Sequence, residues 1–267
     1  MTKLSYIVSC YNSEGFLPDL LNDLLAQDEQ DIEIIVVDSD STDYSYALAK
    51  LWEATSDNIR VVKQKNRTPY GVSWLEGWKA AKGQVVGNSN TDDRSYQWRT
   101  RQVYNAYRRH LESSDIPGFF YGGYETRINN TVTARGIPPK FSVDDMSNLF
   151  RCGIHVHWEN DLRRLVDWSK MYKAGFEYKS AFDYWLVLYF MSLGAVGVPI
   201  ASCFSIYNQR PDSLEQSDKE RNTFESLRAI ETFFPDSIAI NNLENQTKYD
   251  NPGFYNRYQE FKNNFNN

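Results

Sequence analysis

Four short apolar runs, Leu4–Val8, Ile32–Val37, Arg60–Val62 and Val85–Val86, alternate with three stretches whose apolar residues recur at helical spacing. The first helical stretch carries Phe16, Leu17, Leu20, Leu21, Leu24 and Leu25. The second is Tyr46–Trp52, introduced by the capping signals Ser41 and Thr42. The third carries Val72, Leu75, Trp78 and Ala81, with Gly83 as its closing residue. Ile32–Val37 is β-branched almost throughout, as a central strand buried on both faces must be. A β-α-β-α-β-α-β order in about ninety residues selects right-handed parallel crossovers, so the chain begins as an α/β fold.

After Asp93 the rhythm changes. Trp98–Leu111 reads as a helix, and Phe119–Thr126 with Thr131–Ala134 as a hairpin turning at Asn129–Asn130. Glu159–Trp168 reads as a helix, Ala181–Leu193 as a strongly apolar one, and Val196–Tyr207 as extended. Lys219–Phe234 is amphipathic, and the Asn-rich tail from about Asn241 reads as a peripheral helix with a frayed end. No repeat and no Pro-, Gly- or Ser-rich linker interrupts the 267 residues. One continuous domain with two functional halves is expected, residues 1–95 and 96–215, followed by a helical extension over 216–267.

A net charge of −6 argues against general nucleic-acid binding, which needs a basic surface. Aromatic residues make up 15% of the chain, enough for a Tyr- and Trp-rich core or for a groove that stacks on sugar rings or bases. Cys10, Cys152 and Cys203 have no metal-ligand spacing and fit free, partly buried thiols in a reducing, cytoplasmic compartment. No apolar stretch reaches about 18 residues, so no membrane-spanning helix is expected. The sequons at Asn129 and Asn245 are read as chance.

Polar groups follow directly on several of the apolar runs. In an open α/β sheet this is the carboxyl edge, where ligands bind. Asp38 at the tip of the second run suits a nucleobase N–H or a ribose hydroxyl; the alternative is that Asp38 to Asp43 form a turn capping the next helix. In Asn90-Thr91-Asp92-Asp93, adjacent carboxylates point different ways, one toward a hard cation and one toward a sugar hydroxyl or Arg94; the alternative is a helix cap. Asp183, flanked by Phe182, Tyr184 and Trp185, suits a desolvated general base, whereas Ser180 to Asp183 also matches a capping box. His155 and His157 share one face if the segment is extended, as metal ligands or as a wall of an acceptor pocket, and Trp158 could stack on an acceptor sugar.

The ordered set Val8 to Asn12, Leu24 to Gln27, Ile34 to Asp43, Ala81-Lys82-Gly83, Asn90 to Asp93 and Asp183-Tyr184-Trp185 ahead of Gly194 resembles family 2 glycosyltransferases of GT-A type, over residues 4–214. The resemblance implies a GT-A fold with a mainly parallel Rossmann-like sheet, a nucleotide-sugar donor (usually a uridine diphosphate sugar), a divalent Mn²⁺ or Mg²⁺, and inversion by single displacement. By the same resemblance Asp38 contacts the nucleobase and the backbone around Ser9–Tyr11 edges the base pocket. Asp92 is the last residue of an Asp-x-Asp metal motif, with Asn90 in its first position, Asp93 lies beside the donor, and Asp183 is the catalytic base. Arg210, in the segment after the last extended run, would grip the diphosphate, with Arg67 and Arg94 as weaker candidates.

The sequence departs from the family pattern at Asn90, at Ser39 and Asp40 after Asp38, and at Phe182 before Asp183. The acceptor implied is a glycan or lipid-linked sugar, which is compatible with attachment to the inner membrane face; a homo-oligomer is equally compatible. Two other readings remain. A non-catalytic nucleotide-sugar-binding relative is suggested by Asn90. A nucleotidyltransferase-like enzyme is disfavoured because Asn12 to Gly15 lacks a Gly-rich basic loop. A Rossmann dehydrogenase is disfavoured by the lack of Gly-x-Gly-x-x-Gly after the first run.

Overall fold

The structure, a computed structural model, describes residues 2–137, 155–210 and 218–265. Cys152 and Pro211 to Ser213 lie outside the described residues. The first half runs β1 (Leu4–Cys10), α1 (Leu17–Leu25), β2 (Ile32–Asp38), α2 (Ser45–Thr55), β3 (Ile59–Lys63), α3 (Tyr70–Ala80) and β4 (Val85–Asn88). The second continues with β5 (Arg94–Ser95), α4 (Arg99–Ser113), β6 (Gly118–Ile128), β7 (Thr131–Gly136), β8 (His157–Glu159), α5 (Trp168–Glu177), α6 (Phe182–Ser192) and β9 (Val196–Asn208). Helix α7 (Lys219–Phe233), short turns α8 (Ile238–Asn242) and α9 (Lys248–Asp250), and α10 (Pro252–Phe265) complete the chain.

The strands form one sheet in the order β3-β2-β1-β4-β8-β6-β9-β5, with β7 paired to β6. Strands β3, β2, β1 and β4 are parallel, as their crossovers require. Beyond β4 the sheet is mixed: β8 is antiparallel to both β4 and β6, and β9 runs parallel to β6. Period-two alternation divides the core. Ile7, Ile35 and Val37 face Trp74 and Trp78 of α3, whereas Tyr6, Val8, Ile34 and Val36 face Leu17, Leu20, Leu21 and Leu24 of α1. The aromatic excess serves the first of these layers, where Trp74 lies 5.0 Å from both Trp78 and Trp158.

The hairpin turns at Asn129 and Asn130, both left-handed with φ of 49° and 61°, the requirement of a type I′ turn. Three expectations need correction. Helix α3 stops at Ala80 with Ala81 extended, so Gly83 is no helix cap. Its value is close approach: a Cβ there would lie 2.6 Å from the backbone nitrogen of Ser5. Glu159–Trp168 is no single helix; a 3₁₀ turn spans Asn160–Arg164 and α5 begins at Trp168, capped by Asp167. Asn160 breaks the run by using its side chain on Trp78 Nε1 (2.9 Å) and the Gly83 carbonyl (2.7 Å). The tail is also not peripheral. Tyr258 of α10 is fully buried against Phe224 of α7, and both share the core of α6. Among the described residues no helix is long and apolar enough to cross a membrane.

Candidate active site

The carboxyl ends of β1 and β2 lie side by side, with Ser9 in register with Val37 and Cys10 with Asp38. Two left-handed residues, Asn12 (φ 47°) and Asp40 (φ 57°), turn the chain out of these strands. The two loops are laced together: Asn12 Oδ1 accepts the Thr42 N–H (2.8 Å), and the Asn12 N–H donates to Ser41 Oγ (3.1 Å). Asp38 is wholly buried. Its Oδ2 accepts the Ser41 N–H at 3.2 Å, while its Oδ1 is buried with no hydrogen-bond partner. An orphaned acceptor of this kind is costly unless a ligand completes it. Asp38 therefore also forms the turn that its capping alternative required. Ser9 Oγ is likewise buried and unpartnered. Tyr11 is half-exposed, with the Arg67 guanidinium 4.1 Å over its ring.

The acidic patch after β4 is a hydrogen-bonded cluster. Asn90 Oδ1 accepts from Asn88 Nδ2 (3.2 Å), and Asn90 Nδ2 donates to Asp93 Oδ2 (3.0 Å). The two adjacent carboxylates diverge. Asp92, half-buried, accepts from Arg210 at 2.9 Å, and the Arg210 guanidinium also sits 4.3 Å over the Phe16 ring. Burial, then the nearby Asp93, pushes the Asp92 carboxyl up. Asp93 points inward, and burial pushes it up to about 7 against the donors Asn90 and Asn208 that pull it down. The Asn208 N–H donates to Asp93 Oδ1 (3.2 Å) and its Nδ2 to the Asp92 carbonyl (2.8 Å), so the end of β9 is fastened to the acidic turn. Arg94 is elsewhere, gripping Asp23 of α1 through two bonds of 2.6 and 2.7 Å.

The two histidines are interior. His155 Nε2 lies 3.4 Å from Asp93 Oδ2, but burial holds its imidazole well below the ordinary range, so the contact joins a neutral ring to a carboxyl group. His157 Nε2 accepts from Arg99 Nε at 3.1 Å. Arg99, fully buried, also donates to Ser89 Oγ (3.0 Å) and lies over the Tyr6 ring, bracing the end of β4 from beneath. Burial lowers Arg99 to about 10. Trp158 is 1% exposed and packed on Trp74, which leaves no ring face for an acceptor sugar. His157 and Trp158 thus do not sit where an acceptor wall was expected: β8 is an inner strand of the sheet, covered on both faces.

Asp183 is the second residue of α6 and half-buried, and its Oδ1 accepts the Tyr184 N–H at 2.8 Å. A carboxylate in a first turn is favoured by the helix field. Ser180 does not cap this helix; its hydroxyl donates to Glu225 instead. The start of α3 is pressed against the start of α6: a Cβ at Gly71 would lie 2.6 Å from the Phe182 ring. That contact brings Tyr70 toward Asp183. The Tyr70 hydroxyl accepts from Asn88 Nδ2 at 2.7 Å; burial, and then the Asp183 charge, pushes its phenol well above the ordinary range. Tyr70 is therefore bonded to the residue at the end of β4 and lies within reach of the Asp183 charge. Sequence reasoning missed Tyr70, Asn88, Arg99 and Glu225, because each works through contacts distant in the chain.

Among the described residues no group of three His, Cys, Asp or Glu side chains could hold a metal ion. Asp92 and Asn90 carry oxygens of the kind a hard cation takes, but here Asn90 Oδ1 is engaged by Asn88 and Asp92 by Arg210, so a cation would have to displace these partners.

The profile of "Glycosyl transferase family 2" matches residues 5–163, more than half of the chain. The chain belongs to that family. An "Uncharacterized glycosyltransferase alr2836" from Nostoc sp. (strain PCC 7120 / SAG 25.82 / UTEX 2576) is 31% identical over 157 residues, covering 57% of this chain and 46% of that protein. "Uncharacterized glycosyltransferase EpsJ" of Bacillus subtilis (strain 168) is 37% identical over 92 residues, covering 34% of this chain and 26% of that protein. The chain thus aligns with less than half the length of these curated relatives. Among solved structures, S. aureus TarS 1–349 superposes with a TM-score of 0.63 at 18% identity, covering 95% of this chain and 77% of that one. A mannosyltransferase from Pyrobaculum calidifontis, solved in complex with GDP-Man and Mn²⁺, superposes with a TM-score of 0.61 at 14% identity, covering 97% and 73%. These likenesses establish the GT-A fold of the family 2 chain.

Proposed function

We propose that this family 2 chain is an inverting glycosyltransferase that moves a sugar from a uridine diphosphate sugar to a hydroxyl of a glycan or lipid-linked acceptor. The observation that carries the reading is the buried, unpartnered Asp38 Oδ1 on the same sheet edge as the Asp92–Arg210 pair. It supports a pocket with a base-recognition end and a diphosphate end. Asp38 is fully buried in the free chain, so a uracil would reach Oδ1 only when the laced loops carrying Asn12 and Ser41 part. Its one ring N–H would then be accepted there, while Ser9 and Tyr11 border the base. Arg210, bonded to Asp92 in the free chain, would exchange it for diphosphate oxygens, which a guanidinium grips well. A divalent cation held through Asp92 and Asn90 would supply further positive charge at the leaving diphosphate.

Asp183 is the proposed base. It takes the proton of the acceptor hydroxyl as that oxygen bonds to the anomeric carbon and the bond to the diphosphate breaks, through an oxocarbenium-like transition state. Tyr70 would hold the space between Asp183 and the acidic turn. We read residues 1–215 as the transferase unit and 216–267 as an extension that completes its core.

The test is UDP release from UDP-glucose, UDP-N-acetylglucosamine and UDP-galactose with Mn²⁺. Turnover of one donor, lost by at least about 100-fold in Asp183→Asn with UDP affinity kept, is the expected result. Unchanged turnover in that variant would remove Asp183 as the base. The non-catalytic reading is favoured by Asn90, whose amide is committed to Asp93 and Asn88; donor binding without any turnover would select it.

A further inference from the structure

Helix α6, which carries Asp183, begins without a cap of its own: Ala181 holds the N-cap position and supplies no side-chain acceptor. The acceptor comes from the C-terminal extension. Glu225 of α7, whose side chain is entirely buried, takes the N–H groups of Ser180 and Ala181 at 2.9 and 3.0 Å and the Ser180 hydroxyl at 3.1 Å on Oε2. Its Oε1 takes the Lys179 N–H at 3.1 Å and Arg221 Nε at 2.8 Å. One carboxylate thus satisfies three consecutive backbone donors immediately ahead of the turn that presents Asp183.

A wholly buried carboxylate is a costly way to join two helices, since apolar contacts serve as well for packing alone. The interface already has them, in Phe224, Ala229 and Ile230 against the α6 layer. The arrangement gains direction: the fan of bonds fixes the path of residues 179–181 and with it the orientation of the first turn of α6.

We propose that Glu225 is a positioning residue for Asp183, so that the C-terminal extension sets the geometry of the catalytic base. The inference rests on the reading of Asp183 given above. Three consequences follow from the geometry. Loss of the carboxylate lets the opening turn relax and misplaces Asp183, while the donor pocket at β1, β2 and β4 is untouched. Glu225→Gln keeps one acceptor oxygen, enough for Ser180 and Ala181, and turns an amide donor toward Lys179. Arg221→Ala leaves the fan intact but removes the charged one of the two partners of Oε1.

The experiment uses the full chain. Turnover of UDP-glucose, UDP-N-acetylglucosamine and UDP-galactose with Mn²⁺ is measured for the unaltered chain, Asp183→Asn, Glu225→Ala, Glu225→Gln and Arg221→Ala, beside calorimetric binding of UDP. Expected is a kcat lowered tenfold or more in Glu225→Ala, less in Glu225→Gln and least in Arg221→Ala, with donor KM and UDP affinity within twofold throughout. If Glu225→Ala fails to fold, the same ordering between the two milder variants carries the test. A kcat within twofold of the unaltered chain in the folded Glu225 variants, with Asp183→Asn inactive, would overturn this inference alone. A fall in UDP affinity matching the fall in kcat would also overturn it, as general disruption. No turnover by the unaltered chain, or full turnover by Asp183→Asn, would overturn the underlying reading and this inference with it.

Discussion

Replacing Asp38 by Asn separates ligand recognition from folding, because UDP affinity should fall while the stability of the free protein moves little. In the free protein Oδ2 holds the Ser41 N–H at 3.2 Å and Oδ1 is buried without a partner. An Asn that keeps the Ser41 bond with its carbonyl oxygen presents its NH₂ where Oδ1 stood. A uracil N–H would then meet a donor instead of an acceptor. A hydrogen bond to a charged group contributes roughly 1.5–3 kcal/mol, so UDP affinity should fall by about 10- to 150-fold. The free protein exchanges one unsatisfied buried oxygen for an unsatisfied buried NH₂, so its stability should change by about 1 kcal/mol or less in either direction. For a domain of this size that is a Tm shift of about 2–4 °C per kcal/mol. Calorimetry with UDP and thermal melts of both proteins without nucleotide give the two readings. UDP affinity within twofold of the unaltered chain would refute base recognition by Asp38. A Tm drop of about 10 °C or more in the free protein would refute the claim that its Oδ1 is unsatisfied, since only a lost partner costs that much.

Two further outcomes follow. Gly71→Ala puts a methyl group into the Phe182 ring, so α3 and α6 must part; a stability loss of about 1–3 kcal/mol in melts should accompany a fall in turnover with UDP affinity retained. Asp93, raised to about 7 from 3.8 by burial, favours the folded state most when protonated. Its contribution is full below pH 3.8 and is lost as pH rises toward 7, roughly 4 kcal/mol at the outside. His155 and His157, buried and held neutral, act oppositely, weakening the fold as pH falls below about 6.5. The difference in melting temperature between Asp93→Asn and the unaltered chain should therefore shift in favour of the variant from pH 5 to pH 8; a constant difference would contradict the buried placement.

The parallel half was legible in the sequence because its physics is local. Ile32–Val37 could only be a central strand, and the polar residues after each run had to gather at one edge, as Asp38 and Asp92 do. The type I′ turn at Asn129–Asn130 was readable for the same reason. Strand β8 was not, since three residues, His157–Glu159, carry too little pattern to announce an inner antiparallel strand. His157 and Trp158 look like surface ligands in a list of residues; burial between α3 and Arg99 gives them another role. The α10 core contact was hidden because Phe254, Tyr258, Phe261 and Phe265 are spaced among asparagines, and the helix face they form is visible only once α7 supplies its partner. The Ser180 to Asp183 capping box failed because Glu225 of α7 takes the Ser180 N–H that the Asp183 carboxylate would have used, and the Ser180 hydroxyl as well.

The most direct test of the donor-site claim is calorimetric titration of UDP, GDP, CDP and ADP, each with and without Mn²⁺. The account predicts that UDP binds in preference to the others and more tightly with Mn²⁺. Folded protein that binds none of the four, or binds all of them alike, would contradict it.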